Sequence, residues 1–168
     1  ERAHAGTVRL DLQAIDLPDA GLDVILTPHV LEHVPETDTA LSEIARVLAP
    51  GGRMYLQVPV LQGATAPPVE PEFHGDDTPV FWRFGPDLTA RLRDHGFDTT
   101  LLCTEDWQRR VDGGDQDWGA GTSREFDVTS LLGGSIAADL QSVADEATAS
   151  RLGFLPSYMF LTWEAIKR

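Results

Sequence analysis

An open α/β sheet, mostly parallel and covered by helices, is the fold class this sequence predicts. Three observations carry it: apolar runs of strand length, an apolar face of helical period between two of them, and their alternation along the chain. Residues 22–26 (LDVIL) are nearly continuous in apolar character, the pattern of a strand buried on both faces of a parallel sheet. Leu41, Ile44, Ala45 and Leu48 then recur at i, i+3, i+4 and i+7, one face of a helix. Thr37 or Asp38 is placed to cap its start, and Pro50-Gly51-Gly52 to stop it. Met54, Leu56 and Val58 alternate with Tyr55 and Gln57 over a second strand that Pro59 ends. Residues 62–80 contain Gly63, Gly75 and four prolines, so they read as a loop, long enough to suggest a functional segment.

A helix is expected from Pro86 to His95, with Leu88 and Leu92 one turn apart and Gly96 closing it. Phe97 to Cys103 reads as a third strand. Residues 104–133 are rich in Gly, Asp and Trp without a clear period. Ile136, Leu140, Val143 and Ala147 suggest a further amphipathic helix, capped by Ser135, and Tyr158 to Ile166 a closing strand. The expectation is a single domain over residues 1–168, with 104–156 inserted between the last two strands. In sheets of this kind ligands sit beyond the carboxyl ends of the strands. Thr27 to His33, Pro59 to Trp82 and Thr104 to Trp107 are therefore the places to look for chemistry.

The bulk numbers bound the partners. The 168 residues carry 13 basic and 27 acidic side chains, a formal net charge of −14. Nucleic acid and anionic membranes demand a dense basic face, so neither is an expected partner. Apolar stretches are only a few residues long, far short of a membrane span. Cys103 is the sole cysteine, in an apolar run, which excludes an intramolecular disulfide and suits a reducing cytoplasm. A small molecule or a protein is the expected partner.

From Val8 to Pro59 the chain reads VRLDLQAIDLPDAGLDVILTPHVLEHVPETDTALSEIARVLAPGGRMYLQVP. This resembles the central part of class I S-adenosylmethionine-dependent methyltransferases of the type 11 kind: an acidic residue near the adenine pocket, an apolar strand, "LEH", then a helix ending in "RVLkPGG" and another strand. FWRFGPDLTARLRDHGF resembles the helix and "GF" turn before the family's sixth strand. YMFLTWEA would be its antiparallel seventh, lying between the fifth and sixth. The resemblance thus implies a Rossmann-like sheet, mostly parallel, with an antiparallel last strand. The family's first strand, glycine-rich loop and ribose-binding carboxylate lie upstream of the segment matched by Asp11. Ten residues precede Asp11, with Gly6 alone among them. The N-terminal strands are therefore expected to be absent or incomplete, leaving a sheet edge exposed or covered by another copy. The 168 residues by themselves are expected to be inactive.

The resemblance implies S-adenosyl-L-methionine as cofactor. Asp11 and Leu12 match the adenine-side position, and Thr27, Pro28 and His29 follow the family's fourth strand. His29 and His74 are the candidate proton-accepting residues, since a histidine titrates near neutrality and both follow strand ends. His29, Glu32 and His33 form an H-x-x-E-H cluster that could ligate a divalent cation. The reading preferred is that "LEH" packs the strand-to-helix turn and holds no metal. Phe81, Trp82 and Trp107 could wall an acceptor pocket, or tie their loops to the core. Methyl transfer needs positioning more than covalent help, so the lack of a nucleophilic triad is no objection. The enzyme reading is methylation of a small molecule at O, N or C. The rival is a non-catalytic methyltransferase-like domain that binds a partner through an open sheet edge.

Overall fold

The computed structural model describes residues 8–60, 64–105, 109, 140–145, 147 and 162–168. Strands β1 (Leu22–Pro28), β2 (Leu48–Gln57), β5 (Phe97–Thr104), β6 (Leu140–Ala144) and β7 (Thr162–Lys167) form one sheet, ordered β1-β2-β7-β5-β6. β1 is parallel to β2 and β5 to β6, while β7 runs antiparallel to both of its neighbours. Four strands therefore point one way and the last is inserted reversed. This is a mixed α/β arrangement, mostly parallel with an antiparallel last strand, as the closing-strand reading expected. Strands β3 (Glu72–Phe73) and β4 (Pro79–Val80) make a separate short hairpin within the segment read from sequence as a loop.

Helices α1 (Thr37–Val47) and α2 (Leu88–Asp94) supply the covering layer. Ala40, Leu41, Ile44 and Val47 of α1 and Leu88 and Leu92 of α2 join Met54, Leu56, Leu101, Trp163 and Ala165 of the sheet in one buried cluster. Alternation assigns Val24, Leu26, Tyr55 and Glu164 to the opposite face, because cross-strand partners share a face. Val24 and Leu26 are 54% and 68% exposed there, so β1 is an open edge with an uncovered apolar side among the described residues.

Three local expectations are corrected. α1 takes Glu36 as its N-cap residue with no side-chain cap bond, while the Thr37 hydroxyl points back to the Val34 carbonyl. The helix stops at Val47, before Pro50-Gly51-Gly52, and that turn lies inside β2. Gly51 takes φ 76 there, and the register with β1 jumps between Leu22/Leu48 and Val24/Arg53. The helix read from Ile136, Leu140, Val143 and Ala147 is replaced over Leu140–Ala144 by strand β6. The open edge of β5 offers backbone partners there that outweigh a helical apolar spacing. Residues 135–139, the remainder of the 104–133 stretch, and 158–161 lie outside the described residues. Cys103 is buried on β5, as its apolar run implied.

Candidate functional site

The parallel strands bring residues 28–33, 58–60 and 104–105 to one end of the sheet. At that end β1 closes on Pro28, and His29 turns the chain with φ 53, a left-handed conformation uncommon for a residue with a Cβ. Its amide is held by the Gln57 carbonyl of β2 at 2.9 Å, so the turn is fixed to the neighbouring strand. A single 3-10 turn, Leu31–His33, follows. Backbone amides of Phe81 and Trp82 both reach the Glu32 carbonyl, at 2.9 and 3.3 Å, and attach the β3–β4 hairpin segment to that turn.

Four sequence-singled residues meet here. Glu32 is 2% exposed, and its Oε1 lies 3.6 Å from His29 Nδ1 and 3.9 Å from His33 Nε2. His33 Nδ1 is 2.7 Å from the Pro79 carbonyl, a bond in which the imidazole N–H donates. The His33 and His74 rings pack edge to face with centroids 4.6 Å apart. His74 heads the hairpin turn, its amide on the Thr78 carbonyl and its carbonyl taking the Asp77 amide, both at 2.9 Å. Within that turn the Thr78 hydroxyl and amide hold the Asp76 carboxyl below its ordinary range. His74 thus reaches His29 through His33 and Glu32. No group of three histidine, cysteine or carboxylate side chains among the described residues has a geometry that could hold a metal ion.

Asp11 and Leu12 lie on the other side of His33. A cavity of about 540 Å³ is lined by Arg9, Leu10, Asp11, Leu12, Gln13, Val30, His33, Val34 and Pro35. Asp11 Oδ1 accepts the Gln13 amide at 2.9 Å, the geometry of an aspartate-stabilised turn, and Gln13 in turn accepts the Glu36 amide at 3.0 Å. Thr27 is 5% exposed, and its hydroxyl has no hydrogen-bond partner among the described residues. Pro28 is exposed at the strand end. Trp82 Nε1 donates to the Pro35 carbonyl at 2.9 Å and the Arg91 guanidinium sits 5.6 Å over its ring, which ties the loop to the core. Phe81 is 38% exposed. Trp107 lies outside the described residues.

Sequence reasoning missed what holds the segment after the Asp11 turn, residues 15–19, in place. Arg46 of α1 donates to the Ile15 carbonyl at 2.7 Å, the Leu17 carbonyl at 2.9 Å, and the carboxylates of Asp19 and Glu43. Glu43 in turn accepts the Ile15 amide at 2.9 Å. The i, i+3 spacing of Glu43 and Arg46 shows a helix-surface pair. Their grip on residues 15–19 involves backbone groups that no side-chain pattern announces.

Comparison with known proteins agrees with the resemblance. The family described as "Methyltransferase domain" matches residues 1–56. An uncharacterized 37.1 kDa protein in transposon TN4556 of Streptomyces fradiae is 41% identical over 49 residues, 29% of this chain and 14% of that protein. An S-adenosylmethionine-dependent methyltransferase of Mesorhizobium loti is similar over 95% of this chain and 68% of its own, at 12% identity and a TM-score of 0.49. The 1,6-didemethyltoxoflavin-N1-methyltransferase of Burkholderia thailandensis, with 1,6-didemethyltoxoflavin and S-adenosylhomocysteine bound, is similar over 56% of this chain and 42% of its own. Its identity is 23% and its TM-score 0.44. The chain therefore spans less than half the length of the first relatives it matches. The sequence likeness to class I S-adenosylmethionine-dependent methyltransferases coincides with the family match through β1, α1 and most of β2.

Proposed function

We propose that this chain carries the adenine-side and acceptor-side parts of an S-adenosylmethionine-dependent methyltransferase acting on a small molecule at oxygen, nitrogen or carbon. The observation that carries the reading is the cavity between residues 9–13 and 30–35, which opens directly onto His33 of the histidine–glutamate cluster. Its residues fit the adenine end of the cofactor. Leu12, Val30 and Val34 offer apolar walls, and the Asp11 carboxylate has acceptor capacity beyond its two bonds from Gln13, both on Oδ1, for an exocyclic amine. When bound, S-adenosylmethionine supplies an electrophilic methyl group. The protein's own residues orient the acceptor at the strand ends, and His29 or His74 takes its proton where the nucleophile must lose one. A net charge of −14 and the single buried cysteine fit a small-molecule enzyme of a reducing cytoplasm. Among the described residues no helix is long and apolar enough to cross a membrane.

The cavity residues supply contacts for one end of the ligand. A hydrogen bond to a charged group contributes roughly 1.5–3 kcal/mol, against about 8 kcal/mol for micromolar affinity. Binding through these contacts alone is therefore expected to be weak, with a dissociation constant on the order of millimolar. The test is titration of S-adenosylhomocysteine into the isotopically labelled protein, followed by amide chemical shifts. Shifts confined to residues 10–13 and 30–34, and diminished in Asp11→Asn, support the reading. Absence of any shift at millimolar ligand refutes it.

A second reading, that the domain binds a partner or a second copy, is favoured by the β1 edge with exposed Val24 and Leu26. Concentration-dependent mass by analytical ultracentrifugation, abolished by Leu26→Lys, separates it from the first.

A further inference from the structure

Glu32 is the most costly residue at the sheet's carboxyl end. It is 2% exposed, and neither carboxylate oxygen has a hydrogen-bond partner among the described residues. A buried carboxylate left unsatisfied costs several kcal/mol. The only titratable side chains the described contacts place against it are His29 and His33, with His74 reaching it through the His33 ring. Arg9 and Asp11 share the neighbouring cavity with His33.

The two histidines are not equivalent. His33 spends its Nδ1–H on the Pro79 carbonyl at 2.7 Å, so in the neutral ring Nε2 is a lone pair. That lone pair faces Glu32 Oε1 at 3.9 Å, and two acceptors cannot bond to each other. His29 meets the same oxygen through Nδ1 at 3.6 Å. Its backbone is pinned by the left-handed turn and by the bond to Gln57, so only a small ring movement is needed to bring Nδ1 within bonding range. Hydrogen bonds of this kind are often long until a site is loaded.

We propose that Glu32 is a positioning residue for His29: its buried carboxylate accepts the His29 Nδ1–H, fixing the tautomer and ring plane and leaving Nε2 as the basic nitrogen. This role rests on the methyltransferase reading only for its purpose. The arrangement has the logic of a carboxylate orienting an imidazole base. It also gives the buried carboxylate the hydrogen bond that its burial demands.

The test reads the tautomer directly, without cofactor or acceptor. Long-range proton–nitrogen correlation of the histidine rings, at a pH where imidazole is neutral, reports which nitrogen carries hydrogen. In the unaltered protein His29 is expected to favour Nδ1–H by about tenfold, the bias of one ordinary hydrogen bond. Glu32→Ala removes that bias, while Glu32→Gln, whose side-chain oxygen still accepts, restores it. His33 keeps its Nδ1–H in all three, being held by Pro79. An Nε2–H tautomer at His29 in the unaltered protein overturns the proposal even if a variant fails to fold. So does an unchanged tautomer in folded Glu32→Ala. Failure of S-adenosylhomocysteine to bind leaves this measurement untouched, so the two readings fall separately.

Discussion

Trp163 occupies the centre of the sheet on β7 and is fully buried, with its Nε1 donating to the Thr89 hydroxyl of α2 at 2.9 Å. Its register partners are Leu56 of β2 and Leu101 of β5, so the indole joins both halves of the sheet to the helix layer. Trp163→Phe keeps an aromatic ring but leaves the 4%-exposed Thr89 hydroxyl without its donor and a gap where the indole's second ring was. An orphaned buried hydroxyl costs about 1–3 kcal/mol and the lost volume about 1–2 more, giving roughly 3 kcal/mol in all. Thr89→Val orphans the indole N–H instead, at about 2 kcal/mol. In the double variant both polar groups are gone, so the loss is expected near 3 kcal/mol rather than the additive 5, a coupling of about 2 kcal/mol. Urea unfolding of the four proteins, extrapolated linearly, measures the cycle. Additivity to within about 0.3 kcal/mol would show that the indole–hydroxyl bond does not stabilise the fold and would refute the reasoning.

Two further outcomes are expected. The Glu43 carboxyl is held down from 4.5 to about 2, first by its bonds to Arg46 and then by the Ile15 amide. A carboxyl lower in the folded state stabilises above its unfolded value and loses that contribution as pH falls toward 2, so the unaltered protein should lose more thermal stability across that window than Glu43→Gln. Parallel melting curves would contradict this. Gly85 lies against backbone: a Cβ there would meet the Ala64 Cα and N at 2.7 Å, whereas one at Gly75 meets nothing within 4 Å. Gly85→Ala should therefore cost about 1–3 kcal/mol in calorimetry, and Gly75→Ala should be close to neutral.

The elements legible in the sequence were those whose burial writes a pattern. LDVIL became β1 and the 41-44-45-48 face became α1, because continuous or periodic apolar residues reflect packing on a neighbour. Leu140–Ala144 shows where this fails. Its spacing suits a helix equally well, and the choice depends on the free edge of β5, more than thirty residues away in the chain. Histidines 29, 33 and 74 were visible as residues placed after strand ends. Their link through a buried carboxylate and the Pro79 carbonyl was not, because it depends on a hairpin returning to the 3-10 turn. Likewise Arg46 looks like a surface cation until the carbonyls of Ile15 and Leu17 are seen to end on it.

The position of β7 has a kinetic consequence. In the sheet, β1–β2 and β5–β6 are two parallel pairs that share no edge except through β7, which follows all of them in chain order. Among the described strands, the first four can therefore pair during synthesis only as two separate ribbons, with the facing borders of β2 and β5 unpaired. The slot between Leu56 and Leu101 stays open until residues 162–167 have left the ribosome. Closure of that slot is a non-local event late in assembly, the kind that sets slow folding rates. A chaperone that shields strand borders would have its longest opportunity on this chain in the interval before β7 arrives.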